Sequence, residues 1–139
     1  MTLYRFGPRS LDALRGVDPR LVLVLSRALL YSEYDFAVTE GLRSPERQRD
    51  LLARGLSRTL QSKHLVQPDG YAHAVDLMAV GDLDGDGDGD AQDLARTWSP
   101  EIYGSIAAAT GRSAEDLGIG VRWGGSFKSI FDGPHFELT

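Results

Sequence analysis

The chain has 139 residues, a length that suits one domain with a single hydrophobic core. An apolar share of 42% and a charged share of 25% fit a folded, soluble protein, and the lack of any cysteine excludes thiol catalysis, Cys-ligated zinc and a disulfide framework. The formal net charge of −5 is concentrated in six aspartates between Asp82 and Asp93, and no basic stripe stands elsewhere to meet a phosphate backbone, which argues against a nucleic-acid partner.

The N-terminal stretch Met1-Thr2-Leu3-Tyr4-Arg5-Phe6-Gly7-Pro8 lacks the basic start and apolar run of a signal peptide. The most apolar run, Leu21 to Leu25, is too short to cross a bilayer, so no membrane insertion is expected. Asp18-Pro19 reads as an N-cap with Pro at the first helical position, and Leu21, Val24, Leu25, Ala28 and Leu29 recur at helical spacing, which predicts a core helix over 19–31. Alternation around Phe36, Val38 and Glu40 predicts a strand over 35–41. Ser44-Pro45 opens a second helix that Gly55 ends near 54. Residues 57–64 read as loop, and Pro68-Asp69-Gly70 as a turn. Residues 72–80 read as a strand with Ala74, Asp76 and Met78 on one face. Ser99-Pro100 opens a helix expected to stop near Thr110-Gly111, and short strands are expected over 119–123 and 135–138. With no internal repeat and no linker, the whole of 1–139 is read as one α+β domain with a small, mostly antiparallel sheet flanked by helices.

Only three histidines exist, and two lie near carboxylates in suggestive contexts: Ser62-Lys63-His64 ahead of His73-Ala74-Val75-Asp76, and Asp132-Gly133-Pro134-His135-Phe136-Glu137-Leu138. Two neutral imidazoles and one carboxylate make a three-ligand zinc set whose fourth position stays open for hydrolysis. On spacing alone the signal is weak, and ordinary surface histidines are the commoner reading.

Ser62-x-His64, Ala74-x-Asp76 and the late Asp132-x-x-His135-Phe136-Glu137-Leu138, in that order, resemble the D-alanyl-D-alanine carboxypeptidase/VanY type of zinc peptidase. The likeness is greatest to the short phage endolysins of that group, the L-alanyl-D-glutamate peptidases. It extends over Tyr4-Arg5-Phe6-Gly7, Glu40-Gly41-Leu42-Arg43-Ser44 and Arg122-Trp123-Gly124-Gly125, nearly the whole chain. The resemblance implies a Hedgehog/DD-peptidase-like fold and a zinc ion held by His64, Asp76 and His135. It also implies Asp132 as general base and Arg43 at the substrate or the developing oxyanion. Those residue types suit the chemistry: zinc acidifies water to a pKa of about 7, a carboxylate shuttles the proton, and a guanidinium meets negative charge. Bland readings stand beside each role. Arg43 can pair with Glu40 or Glu46, Asp132 can serve the turn at Gly133, Trp123 and Phe136 read as core, and Glu137 either orients a ligand or faces solvent.

Eleven residues separate His64 from Asp76 where the family pattern has six. The simplest account is a longer loop over 65–72. The rival, His73 as ligand in place of His64, is disfavoured because His73 and Asp76 would point to opposite faces of a strand.

Asp82, Asp84, Asp86, Asp88, Asp90 and Asp93 fit a twelve-residue calcium loop, with Gly87 at the sharp turn and Asp rather than Glu at the last position. A solvated acidic loop is the alternative. The resemblance implies an enzyme that takes Zn2+ and, through this loop, Ca2+. Its implied partner is the peptidoglycan stem peptide of bacterial cell wall, cut at the L-Ala–D-Glu bond by a monomer. Such a protein would stay in the host cytoplasm until released and act on the wall in the periplasm. The alternatives are a D-Ala-D-Ala carboxypeptidase or dipeptidase of the same group and a non-catalytic, metal-dependent wall-binding module.

Overall fold

The computed structural model describes residues 4–57, 59–83, 97, 99–126 and 132–139. A short helix that sequence reading did not anticipate, α1 (Pro8–Ala13), opens the chain with Gly7 as its N-cap. Helix α2 (Pro19–Tyr31) begins where Asp18 accepts the Arg20 amide hydrogen, and it buries the expected stripe from Leu21 to Leu29. Helix α3 (Pro45–Ala53) is capped the same way by Ser44, which accepts from the Arg47 amide.

Four strands, β1 (Asp35–Glu40), β2 (Ala74–Val80), β3 (Val121–Trp123) and β4 (His135–Leu138), form one antiparallel sheet in the order β1-β2-β4-β3. The strict two-residue period of strand side chains divides this sheet into two chemistries. Phe36, Val38, Val75, Leu77, Phe136 and Leu138 lie on the core face, where Val38 pairs with Leu77 and Val75 with Phe136. They pack against Leu21, Leu25 and Ala28 of α2. Each large side chain removed from water there contributes about 1.5–3 kcal/mol. On the other face Asp76 is paired with Glu40 on one side and His135 on the other. A register shift between Val38 and Glu40 brings Glu40, rather than Thr39, opposite Asp76, a use to which bulges beside functional sites are often put.

The fourth helix, α4 (Pro100–Leu117), runs well beyond the stop expected at Thr110-Gly111. Gly111 does not end it, because its backbone stays helical and the actual C-cap is Gly118, at φ 67°. The reason is tertiary. Thr110, Ser113 and Ala114 are buried, and the Ser113 hydroxyl donates to the Val24 carbonyl at 2.7 Å, so packing on α2 holds the last two turns. The Tyr103 hydroxyl donates to the Leu77 carbonyl at 2.9 Å and pins α4 to β2. Among the described residues no helix is long and apolar enough to cross a membrane.

The strand expected from residue 72 begins at Ala74, because Ala72 is taken by other partners. Its amide donates to the Gly16 carbonyl and its own carbonyl accepts from the Asp18 amide. The 65–72 segment is thereby closed onto the α1–α2 connection, with Gly70 (φ 91°) in its turn.

Candidate metal centre and active site

His64, Asp76 and His135 come together with ligand atoms all within 4.8 Å of one another. They arrive by different routes. Asp76 and His135 are paired residues on β2 and β4. His64 lies on the loop before β2 and is almost wholly buried, at 2% exposure. Its position is fixed by two bonds to the 41–43 segment: the Arg43 amide donates to the His64 carbonyl at 2.8 Å, and His64 Nδ1 lies 2.8 Å from the Gly41 carbonyl.

Those partners assign the ring protons. A carbonyl only accepts, so His64 Nδ1 carries hydrogen and Nε2 presents a lone pair. Nε2 is buried without a hydrogen-bond partner, 3.3 Å from Asp76 Oδ1. At His135, Nε2 faces Glu137 Oε1 at 2.8 Å, so the other nitrogen, Nδ1, is left toward Asp76 Oδ1 at 3.5 Å. Two imidazole nitrogens thus converge on one carboxylate, an arrangement that calls for a cation between them. The set fits a metal ion, and its two nitrogens and one oxygen match a site of the open, three-ligand kind.

The charge states agree with this geometry. Burial opposes ionisation of Asp76, but His135 and His64 outweigh it and hold the carboxyl below its ordinary range. Burial likewise disfavours charge on His135, yet Asp76 and Glu137 together raise it to about 9. A metal entering here would therefore displace a proton from His135, the usual coupling of metal binding to pH.

Asp132 borders the same cleft of about 660 Å³, which is also lined by Glu40, Arg43, Lys63 and Arg122. Burial, and then the neighbouring Asp76, push its carboxyl above the ordinary value against the pull of His135, His64 and Arg43. That is the direction a proton-shuttling carboxylate needs. Its backbone helps to form the turn into β4, with its carbonyl accepting from the His135 amide at 3.1 Å and its amide donating to the Gly124 carbonyl at 3.0 Å. Gly124 is obligatory there, since a Cβ would overlap the Asp132 carbonyl and crowd His135 Cβ.

Arg43 combines both of its sequence readings. Its side chain, 10% exposed, bonds Glu40 and donates to Gln48 Oε1 at 2.7 Å, and it also reaches Asp76 Oδ2 at 3.9 Å. Glu46 instead pairs with Arg49. Phe136 is core, and Trp123 stacks on it at 6.5 Å with its indole N–H donating to the Gly133 carbonyl.

Sequence reading assigned no role to Gly41 or Gln48. Gly41 supplies the carbonyl for His64, and a Cβ there would collide with the Ala13 carbonyl and Val17. Gln48, 1% exposed, holds Arg43 on one side and Ser57 and the Thr59 carbonyl on the other. An apolar-pattern search cannot find either residue, because their roles lie in backbone approach and buried polar bonding.

A second group, Asp18, Asp69 and His73, also brings three ligand atoms together. Its carboxylates are already committed: Arg20 meets both oxygens of Asp18, at 3.1 and 2.9 Å, and Asp69 bonds His73 at 2.7 Å. His73 thus belongs to a different cluster from His64. Of the acidic loop's aspartates only Asp82 lies among the described residues; Asp84, Asp86, Asp88, Asp90 and Asp93 lie outside them. Leu83 beside it is buried in the core, and Thr97, on the far side, is 2% exposed.

Comparison with known proteins agrees in one direction. The family model described as phage L-alanyl-D-glutamate peptidase matches residues 1–139. The L-alanyl-D-glutamate peptidase of Escherichia phage T5 is 28% identical over 150 residues, covering 98% of each chain. The crystal structure of Serratia marcescens L-Ala D-Glu endopeptidase ChiX superposes with a TM-score of 0.78 at 44% identity, over 97% of this chain and 90% of that one.

Proposed function

The chain belongs to the phage L-alanyl-D-glutamate peptidase family, and from that premise we propose that it is a zinc-dependent endolysin that hydrolyses the L-Ala–D-Glu bond of peptidoglycan stem peptides. The observation that carries the metal part of this reading is the convergence of His64 Nε2 and His135 Nδ1 on Asp76, with His64 Nε2 buried and unbonded. Zinc, held by these three residues, would supply the Lewis acidity that polarises the scissile carbonyl and acidifies water.

The chain's own residues carry the rest. Asp132, with its raised affinity for protons, accepts the proton of the attacking water and returns it to the leaving amine of D-Glu. Arg43, held by Glu40 and Gln48, keeps positive charge beside the cleft where an oxyanion or a stem-peptide carboxylate would sit. A carboxylate placed as Asp132 is favours catalysis over a wall-binding module, which has no use for a base. The acidic run from Asp82 to Asp93 is assigned to calcium, as a loop inserted within the single peptidase domain of residues 1–139. In this reading the protein waits in the host cytoplasm and meets the wall in the periplasm after release.

The test is mass spectrometry of purified peptidoglycan after digestion with zinc present, using wild type and Asp132→Ala. Peptides beginning at D-Glu are expected from wild type, with the rate falling about 10²–10⁴-fold in the variant. Loss of terminal D-Ala alone would move the assignment to a carboxypeptidase, and no product at all would leave the binding module.

A further inference from the structure

His64 and His135 are held by different kinds of partner. His64 leans on a neutral carbonyl, that of Gly41. His135 leans on a carboxylate, and that carboxylate is itself the centre of a small ionic cluster. Glu137 is 6% exposed and stands two residues beyond His135 on β4, so both side chains leave the strand on the same face. One oxygen, Oε1, lies 2.8 Å from His135 Nε2. The other, Oε2, meets Lys63 Nζ at 3.1 Å and an Arg122 guanidinium nitrogen at 3.0 Å. A carboxylate this deeply placed is costly unless fully bonded, and here both oxygens are satisfied. The two cations approach from opposite sides: Arg122 is paired with Glu137 across β3 and β4, and Lys63 comes from the loop immediately before His64. Lys63 also donates to the Leu138 carbonyl at 2.6 Å.

We propose that Glu137 is a positioning residue for the metal centre. Clamped by Lys63 and Arg122, it fixes the His135 ring with Nδ1 toward Asp76, and through Lys63 it ties the segment bearing His64 to the strand bearing His135. The inference rests on the metal-dependent reading above. Its physical content is that a charged acceptor on Nε2–H makes the ring a better donor and removes its freedom to rotate, a service that typically alters metal affinity by about 10–100-fold. Lys63 and Arg122 keep part of their side chains in solvent, and His135 keeps Asp76 at 3.5 Å when Glu137 is removed, so the variant is expected to fold.

The experiment is zinc competition against a fluorescent chelator for wild type, Glu137→Ala, Glu137→Gln and Lys63→Met. Proton NMR of the zinc-loaded proteins accompanies it, with circular dichroism of each metal-free variant as the check on folding. Wild type should show a downfield, slowly exchanging His135 Nε2–H resonance. Glu137→Ala should lose that resonance and bind zinc about 10–100-fold more weakly. Glu137→Gln, which keeps an acceptor without the charge, should fall between the two, and Lys63→Met should lose less than Glu137→Ala. Zinc affinity within twofold of wild type in Glu137→Ala, or a wild-type His135 that carries its proton on Nδ1, would overturn the inference while leaving the zinc reading intact. A wild type that binds no zinc would overturn both.

Discussion

Which histidines converge on Asp76 is decided at single atoms. His64 keeps a bare, buried Nε2 toward Asp76, whereas His73 gives its Nε2 to Asp69 at 2.7 Å and stands 3.4 Å from Asp18. His64→Ala is therefore expected to abolish stoichiometric zinc binding, and His73→Ala to retain it, as read by metal analysis after dialysis. Retention by His64→Ala would sink the assignment. Asp18 offers a second test at this scale. Its Arg20 partner holds the carboxyl down at about 2, against an ordinary value of 3.8. A depressed native value means stability that is complete above the unfolded pKa near 4 and lost as pH falls toward 2. Asp18→Asn keeps the N-cap but not the charge. It should be less stable than wild type at pH 6 by urea unfolding, and the gap should close between pH 4 and pH 2. A gap that stays constant down to pH 2 would contradict the ion-pair account.

Helices and strands were legible where signals are local. The Asp18-Pro19 and Ser44-Pro45 caps and the period of α2 put two helices within a residue or two of their observed ends. Alternation similarly located β1, and the short strand expected over 135–138 is β4. α1 was missed because six residues give too few turns for a period to register. α4 was cut short because glycine in sequence looks like a stop. Gly111 sits exposed in the interior of that helix, and an added Cβ would meet nothing within 4 Å. Gly111→Ala is accordingly expected to stabilise the protein by about 0.5–1 kcal/mol, seen as a rise of a few degrees in Tm. A lower Tm would show that the residue has a packing role not visible in its surroundings.

At the scale of the whole molecule, one sheet separates core from chemistry: its apolar face is sealed by α2 and α4, and its polar face carries Glu40, Asp76 and His135 in adjacent strands. The longer loop between His64 and Asp76 does not disturb this. It closes on itself through the Gln67–Tyr71 and Gly70–Gln67 bonds and is sewn to Gly16 and Asp18 through Ala72. The acidic loop is bracketed by Leu83 and Thr97, both buried, and the Thr97 hydroxyl donates to the Ala79 carbonyl at 3.3 Å. Calcium bound there would thus act on the end of the strand that bears Asp76. Calcium is expected to raise Tm and hydrolysis in wild type and to do neither in an Asp84→Ala plus Asp86→Ala double variant, as followed by calorimetry and turbidity of cell-wall suspensions. Identical responses in the two proteins would remove calcium from the account.

By itself the sequence determined the class of fold, the starts of α2, α3 and α4, and the residue types available for the site, because caps, turns and hydrophobic periods are properties of neighbouring residues. The order of its motifs was enough for the family resemblance. The convergence of His64 and His135 on Asp76, the double duty of Arg43, the Gly41 carbonyl, the Gln48 bracket and the Lys63–Glu137–Arg122 clamp were visible only in the tertiary structure. Each depends on groups far apart in the chain, His64 and Gly41 by 23 residues and Lys63 and Leu138 by 75. Such pairs are set by strand register and by the closeness with which backbones pack, and neither leaves a periodic trace in the order of the amino acids.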